Sequence, residues 1–289
     1  MTQVFRELMQ AEYNLAAIKA EFGSLGRSTF LDRHIFTFLS GSVAYGGGRL
    51  GVSDIDAVTV ISSGDGVPLR QYAEYAKGYI SICLRHSFSP DLTYPGEILT
   101  EGLIEDAICG RGFSLDASGE LFLPNASDQY YSDSRENWFR AWLSMMTFSV
   151  FCEGDREKFE VLKNRAWTTA LLYILPQIPH SSISATVILD FLLEESNKWV
   201  GLGVTRRYFS FQDLEMPYIT KTLQSLASHG YLQYANESSY RLAPARIRAW
   251  HEKVSCSIST RSVRQAEFLF SDDDLMRVSL YLQDSRQSL

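Results

Sequence analysis

Apolar residues at Val4, Leu8, Ala11, Leu15, Ile18 and Phe22 recur every three to four positions and predict an amphipathic helix over residues 3–22. A Gly/Ser-rich stretch at 23–27 reads as a break after it. The pattern then changes to short continuous apolar runs. Those at 35–39 and 55–61 predict the first two strands of a sheet, 69–77 a short helix, and 79–84, where Tyr79, Ile80, Ile82 and Leu84 cluster, a third strand. A helix is expected over 97–110, ending at Gly110. Leu121, Phe122 and Leu123 suggest an edge strand.

Beyond residue 133 the period is helical. Residues 135–152 carry Trp138, Phe139, Trp142, Leu143, Met145, Met146, Phe148 and Phe151 and predict a largely buried helix. Residues 155–174 predict another, with Asp155 as N-cap and a stop before Pro176; 183–199 predict a third. In 214–242, Leu223, Leu226 and Ala227 form a helical face that Gly230 ends, and 231–234 and 239–242 read as strands around an Asn236-Glu237 turn. This helix and hairpin resemble the recognition helix and wing of a winged-helix module. The acids Asp272, Asp273 and Asp274 precede a helix expected at 275–282, where they complement the helix dipole.

Composition adds a few constraints. The chain has 289 residues with 45% hydrophobic and 21% charged, ordinary for a globular protein, and its length suits more than one domain. No run of eighteen apolar residues and no basic N-terminal region before an apolar core is present, so a cytoplasmic protein without membrane contact is expected. Cys83, Cys109, Cys152 and Cys256 form no CxxC pair and read as buried thiols. The net charge of −7 is uneven: residues 1–130 hold 9 Lys or Arg against 16 Asp or Glu. That acidity disfavours a polyanionic partner for the first part and suits a neutral or cationic small molecule. Residues 201–250 instead hold 6 basic residues against 3 acids, which permits nucleic-acid contact without demanding it.

The densest chemistry lies in 38–60, FLSGSVAYGGGRLGVSDIDAVTV. In an extended chain Asp54 and Asp56 point the same way while Ile55 and the run from Ala57 to Val60 serve the core. Two carboxylates held side by side repel, and a hard divalent cation such as Mg²⁺ relieves that repulsion. Gly46, Gly47 and Gly48 tolerate positive φ, so their amides are expected to turn toward a polyphosphate, with the Ser42 hydroxyl adding a hydrogen bond. Arg49 offers a further positive charge, read either as a phosphate partner or as a solvated side chain.

Gly41-Ser42, eleven intervening residues, and then Asp54-x-Asp56 resemble the signature of the polymerase β type nucleotidyltransferase superfamily. The likeness is specific over residues 30–100. It implies a small mixed nucleotidyltransferase sheet flanked by helices over 1–130; with the helical pattern as a helical domain over 131–200 and the winged-helix-like module over 201–289, an α+β fold is expected. It also implies two Mg²⁺ ions and a nucleoside triphosphate donor. In-line attack of an acceptor hydroxyl on the α-phosphorus would release pyrophosphate. Asp54, Asp56 and a third carboxylate would be catalytic and metal-ligating. Asp91, placed after the 79–84 run, is preferred for the third, with Glu97, behind a Pro-Gly turn, as the alternative. Gly41, Ser42 and a helical lysine, Lys163, would hold the phosphates; the alternative for Lys163 is a solvated helix charge.

The chain further resembles the aminoglycoside and lincosamide nucleotidyltransferases, which implies transfer of AMP to a hydroxyl of a small, cationic acceptor. The competing expectations are a nucleotidyltransferase acting on tRNA or on a protein, as toxins of this type do, and a nucleotide-sensing winged-helix DNA-binding regulator. For the C-terminal module itself, nucleic-acid binding competes with packing or dimerisation, and the latter is preferred.

Overall fold

The computed structural model describes residues 13–62, 67–92, 95–109, 142–193 and 211–260. In chain order these form α1 (Leu15–Phe30), β1 (His34–Ser40), the one-turn α2 (Gly41–Ala44), β2 (Asp56–Ile61), α3 (Leu69–Arg85), β3 (Glu97–Thr100) and α4 (Glu101–Ile108). A helical stretch at 142–147 leads to β4 (Val150–Gly154), α5 (Arg156–Ile174), α6 (Ala185–Leu193), α7 (Phe211–Ser228), β5 (Leu232–Tyr234), β6 (Tyr240–Leu242) and α8 (Pro244–Thr260). The fold is α+β. The chain divides into two compact units, Met1–Leu103 with Ser149–Phe159 and Arg264–Leu289, and Ile104–Phe148 with Glu160–Val263. The expected boundaries at 130 and 200 fall outside the described residues.

In the first unit the sheet has the order β3-β2-β1-β4. β1 pairs antiparallel with β2 and with β4, whereas β2 and β3 run parallel. One face of the sheet carries α1 and α3. There Thr37 of β1, Thr59 of β2 and Tyr75 of α3 share a chain of buried hydroxyls, 3.2 Å and 2.9 Å between oxygens, so each polar group entering the core has a partner. The other face carries Phe36 and Phe38, whose rings meet Phe159 with centroids 5.6 and 6.3 Å away.

Four expected elements differ, each because a tertiary partner decides it. α1 does not break at 23–27: Gly23 and Gly26 lie within it. A Cβ at Gly26 would overlap Thr37 Oγ1, and one at Gly23 would fall 2.5 Å from Glu153 Cβ, so these glycines let the helix rest on the sheet. The run 79–84 is helix, the last turns of α3, because Tyr72, Tyr75, Ala76, Tyr79, Ile82 and Cys83 form one buried stripe at helical spacing. Residues 97–100, expected in a helix, form β3 because β2 offers a free parallel edge. Val150, Phe151 and Cys152, expected at the end of a helix, form β4 on the far edge of β1. Cys83 is buried, but Cys109 is exposed and Cys152 half-buried, so the expectation of uniformly buried thiols is corrected. The edge strand at 121–123 and the helix at 275–282 lie outside the described residues.

Beyond β4 the chain matches its pattern more closely. Asp155 Oδ1 accepts the Lys158 amide at 2.9 Å, and α5 ends at Ile174, ahead of Pro176. β5 and β6 form the hairpin, and Ile183 exchanges backbone hydrogen bonds of 2.8 and 2.7 Å with Tyr240, adding a bridge beside it. α7 starts earlier than its apolar face suggests, running through Pro217 from a buried Phe211. It is held to α5 by a buried ion pair: Lys163 Nζ donates to Glu215 Oε1 at 2.7 Å, and Trp167 Nε1 donates to Glu215 Oε2 at 3.0 Å. Burial lowers the Lys163 pKa, an effect that the charge of Glu215 opposes.

Removing one charge of such a pair leaves the other stranded. Lys163→Met should therefore lower stability by about 3–5 kcal/mol, and adding Glu215→Leu should restore most of that loss. Urea denaturation of the two variants checks this, and equal destabilisation of both would contradict it.

Candidate active site around the heads of β2 and β3

β1 delivers the chain to Gly41, whose φ of +68° is one that L side chains rarely adopt. A Cβ at this position would overlap Asp56 Oδ2. The two residues meet because Ser40 and Asp56 are cross-strand partners, so the turn leaving β1 closes over the first side chain of β2. Ser42 follows on the one-turn α2 and is half-buried.

The glycine loop then folds onto itself. Gly46 donates its amide to Val43 O at 3.3 Å, Gly47 to Ser42 O at 2.8 Å, and Gly48 to Tyr13 Oη at 3.3 Å. Tyr13 Oη in turn donates to Val43 O at 2.9 Å, and its ring stands edge-on to Phe88. The expectation that these three amides turn toward a polyphosphate is thus corrected, since each already has an acceptor within the protein. Arg49 is exposed; its amide donates to Ser53 Oγ at 3.0 Å.

Asp54 and Asp56 flank the buried Ile55 at the head of β2. Glu97 opens β3, in register with Val58, which puts a third carboxylate on the strand next to Asp56. Asp91 does not follow a strand. It lies in the loop between α3 and β3, which is stitched to the segment before Asp54: Gly51 donates to Ser87 O at 2.6 Å and Ser89 to Ser53 O at 3.0 Å. The Asp91 amide itself donates to Tyr79 Oη at 3.4 Å.

The charge of Asp91 acts on Asp54, Asp56 and Glu97, and Asp56 shares a field with Asp54 and with Glu97. Asp56 keeps some exposed surface, but its carboxyl group is enclosed, and burial first, then the charges of Asp54 and Asp91, push it up to about 7. Glu97 is pushed up to about 8 by burial, then by Asp91 and Asp56. Asp54 is raised by burial and, less strongly, by Asp91. No basic side chain among the described residues offsets the shift of any of the three. Hard carboxylate oxygens at such a place suit a divalent cation of the Mg²⁺ kind. Among the described residues, however, no three acid, His or Cys side chains are already drawn to ligating spacing.

No family model, curated protein or solved structure matches this chain. Gly41, Ser42, Asp54, Asp56, Asp91 and Glu97 gather at the heads of β2 and β3 in the first unit. Lys163 belongs to the second unit, where it is buried against Glu215 and over the Tyr218 ring at 4.3 Å, neither solvated nor presented as a phosphate ligand. The Pro95-Gly96 step has the signature of a turn, which masks Glu97 as the first residue of a strand. The apolar pair Ile98-Leu99 between Glu97 and Thr100 was the available signal for a short buried strand.

Two outcomes follow. Gly41→Ala should lower stability by about 1–3 kcal/mol, and part of that loss should vanish in an Asp56→Ala background. A double-mutant cycle by urea denaturation measures the coupling, and strict additivity would contradict the contact. The second concerns pH. Unfolded carboxylates titrate near 4, so between that pH and their raised folded values Asp56 and Glu97 hold protons that the unfolded chain has lost. The stability this supplies is full below the unfolded values and is lost as pH rises through about 7 and 8. Chelator-treated protein should accordingly melt at a lower temperature at pH 9 than at pH 6, and Asp56→Asn with Glu97→Gln should flatten that dependence in calorimetry.

Proposed function

We propose that the protein is a metal-dependent nucleotidyltransferase of the polymerase β type, which moves a nucleoside monophosphate, AMP by resemblance, from a nucleoside triphosphate to an acceptor hydroxyl. The observation that carries this reading is the seating of Gly41 against the Asp56 carboxylate, with Asp54 beside it and Glu97 on the parallel neighbouring strand. An idle hairpin would have no reason to hold uncompensated acids in its interior, since each is costly to bury without a partner.

Asp54, Asp56, Asp91 and Glu97 are the residues that would hold divalent metal. The metal would supply charge neutralisation for the triphosphate and for the entering and leaving oxygens. Ser42 would donate its hydroxyl to a phosphate oxygen. Asp91, on its loop, would accept the proton of the acceptor hydroxyl as the new O–P bond forms and the bond to pyrophosphate breaks.

The acceptor we favour is a small molecule, as the acidic first part of the chain suggests, with the amino-bearing antibiotics of the similar enzymes as the first class to try. The α6–α7–hairpin arrangement, with the Ile183–Tyr240 bridge beside it, is what a winged-helix-like module would need. Its exposed α7 face gives little support to a nucleic-acid partner. Gln212, Asp213, Pro217, Thr220, Lys221 and Gln224 include one cation and one anion, and Arg246 of α8 is engaged with the His229 carbonyl. We therefore assign this module to packing or dimerisation. Among the described residues no helix is long and apolar enough to cross a membrane.

Incubation of the protein with Mg²⁺, α-labelled nucleoside triphosphates and separate panels of aminoglycosides, lincosamides and tRNA should place label on a small molecule with release of pyrophosphate. Asp56→Asn should reduce transfer by at least about 10³-fold, the scale expected for losing preorganised charge at a reacting centre, while remaining folded. Label on RNA or on protein would redirect the acceptor assignment. Full activity in Asp56→Asn would refute the site.

A further inference from the structure

Asp91 and Glu97 reach the site from opposite ends of one connection, and α3 touches both. Tyr79 is 1% exposed, its ring held from α1 by Phe22 with centroids 5.7 Å apart. Its hydroxyl accepts the Asp91 amide at 3.4 Å. The edge of the same ring closes on Gly96, the residue before Glu97: a Cβ there would lie 3.2 Å from Tyr79 Cδ2 and 2.8 Å from Tyr75 Cε1. Gly96 also holds φ at +80°, so the chain makes its last turn into β3 pressed against these two rings. The charges of Asp54 and Asp56 both act on the Tyr79 phenol, which places it within the field of the candidate site.

Tyr75, one turn earlier on α3, is the natural comparison. It is equally buried and its hydroxyl is also bonded, but to Thr59 on the helix-covered face of the sheet. It shares the packing role of Tyr79 at Gly96 without the bond to Asp91.

From this juxtaposition we infer that Tyr79 is a positioning residue for the acid cluster, setting where the Asp91 carboxylate stands relative to Asp54, Asp56 and Glu97 through its hydroxyl and ring. The inference rests on the reading of these acids as a divalent-cation site. It goes further in assigning the geometry of that site to a neutral side chain on the helix behind it. A carboxylate displaced by a fraction of an ångström loses much of its value to a reacting centre.

The test uses Mn²⁺ as the probe, with its affinity for the full chain measured by electron paramagnetic resonance and stability followed separately by calorimetry. Tyr79→Phe keeps the ring and removes the acceptor for the Asp91 amide. It should weaken Mn²⁺ binding by about tenfold, while Tyr75→Phe, which removes an equally buried phenol hydroxyl and its bond to Thr59, should leave the affinity unchanged. In an Asp91→Asn background, Tyr79→Phe should cost little further affinity. Parental Mn²⁺ affinity in Tyr79→Phe would overturn the inference, as would an equal loss in Tyr75→Phe, which would mean that both act only through packing. If the parent chain itself fails to bind Mn²⁺, the cation-site reading falls and the inference falls with it, an outcome distinct from the previous two.

Discussion

The α-carbon of Gly41 and the carboxylate of Asp56 occupy neighbouring places with no room for a further heavy atom between them. That contact ties the end of β1 to the head of β2 and makes the turn after β1 a lid over an enclosed acid. Because Asp56 is enclosed, Asp54 and Asp91 act on it with little screening, and Asp56 and Glu97 are both pushed toward the protonated state. The glycine loop contributes shape more than donors. Its amides are consumed by Val43 O, Ser42 O and Tyr13 Oη, which makes it a compact, self-bonded turn.

Helix α3 is the second organiser of the first unit. On one side it closes the hydroxyl chain through Tyr75 to Thr59, and at its last turns it supports Gly96 and the Asp91 loop through Tyr79. Packing and site geometry are therefore set by the same row of tyrosines. Phe30 and Phe22 of α1 cover that row from outside, with ring centroids 5.5 Å from Tyr75 and 5.7 Å from Tyr79. The second unit solves a separate problem. A lysine and a glutamate are buried together between α5 and α7, with an indole N–H filling the remaining acceptor and a phenol ring under the ammonium. Such a pair need not add stability over an apolar contact, but it penalises any register of α7 on α5 that would leave either charge alone.

Sequence alone determined the features that depend on neighbours in the chain. The Gly41-Ser42 step, the spacing to Asp54 and Asp56, the two strands that bracket them, the Asp155 cap and the β5–β6 hairpin are all local in origin: a positive φ, a period of two, a capping side chain, a turn between alternating residues. Tertiary structure decided what depends on distant partners. Residues 79–84 form a strand-like run, but Tyr79, Ile82 and Cys83 belong to a longer helical stripe that is recognisable only once α1 and the sheet are there to cover it. Residues 97–100 and 150–154 are strands because β2 and β1 had open edges, and an open edge leaves no mark on the segment that will fill it. Hence Glu97, the alternative third carboxylate, is on a strand, Asp91, the preferred one, is on a loop, and Lys163, expected to grip phosphate or else to be solvated, is buried. In each case the side chain's role was fixed by a partner more than thirty residues away or on another element, through backbone pairing or charge compensation that no local pattern encodes.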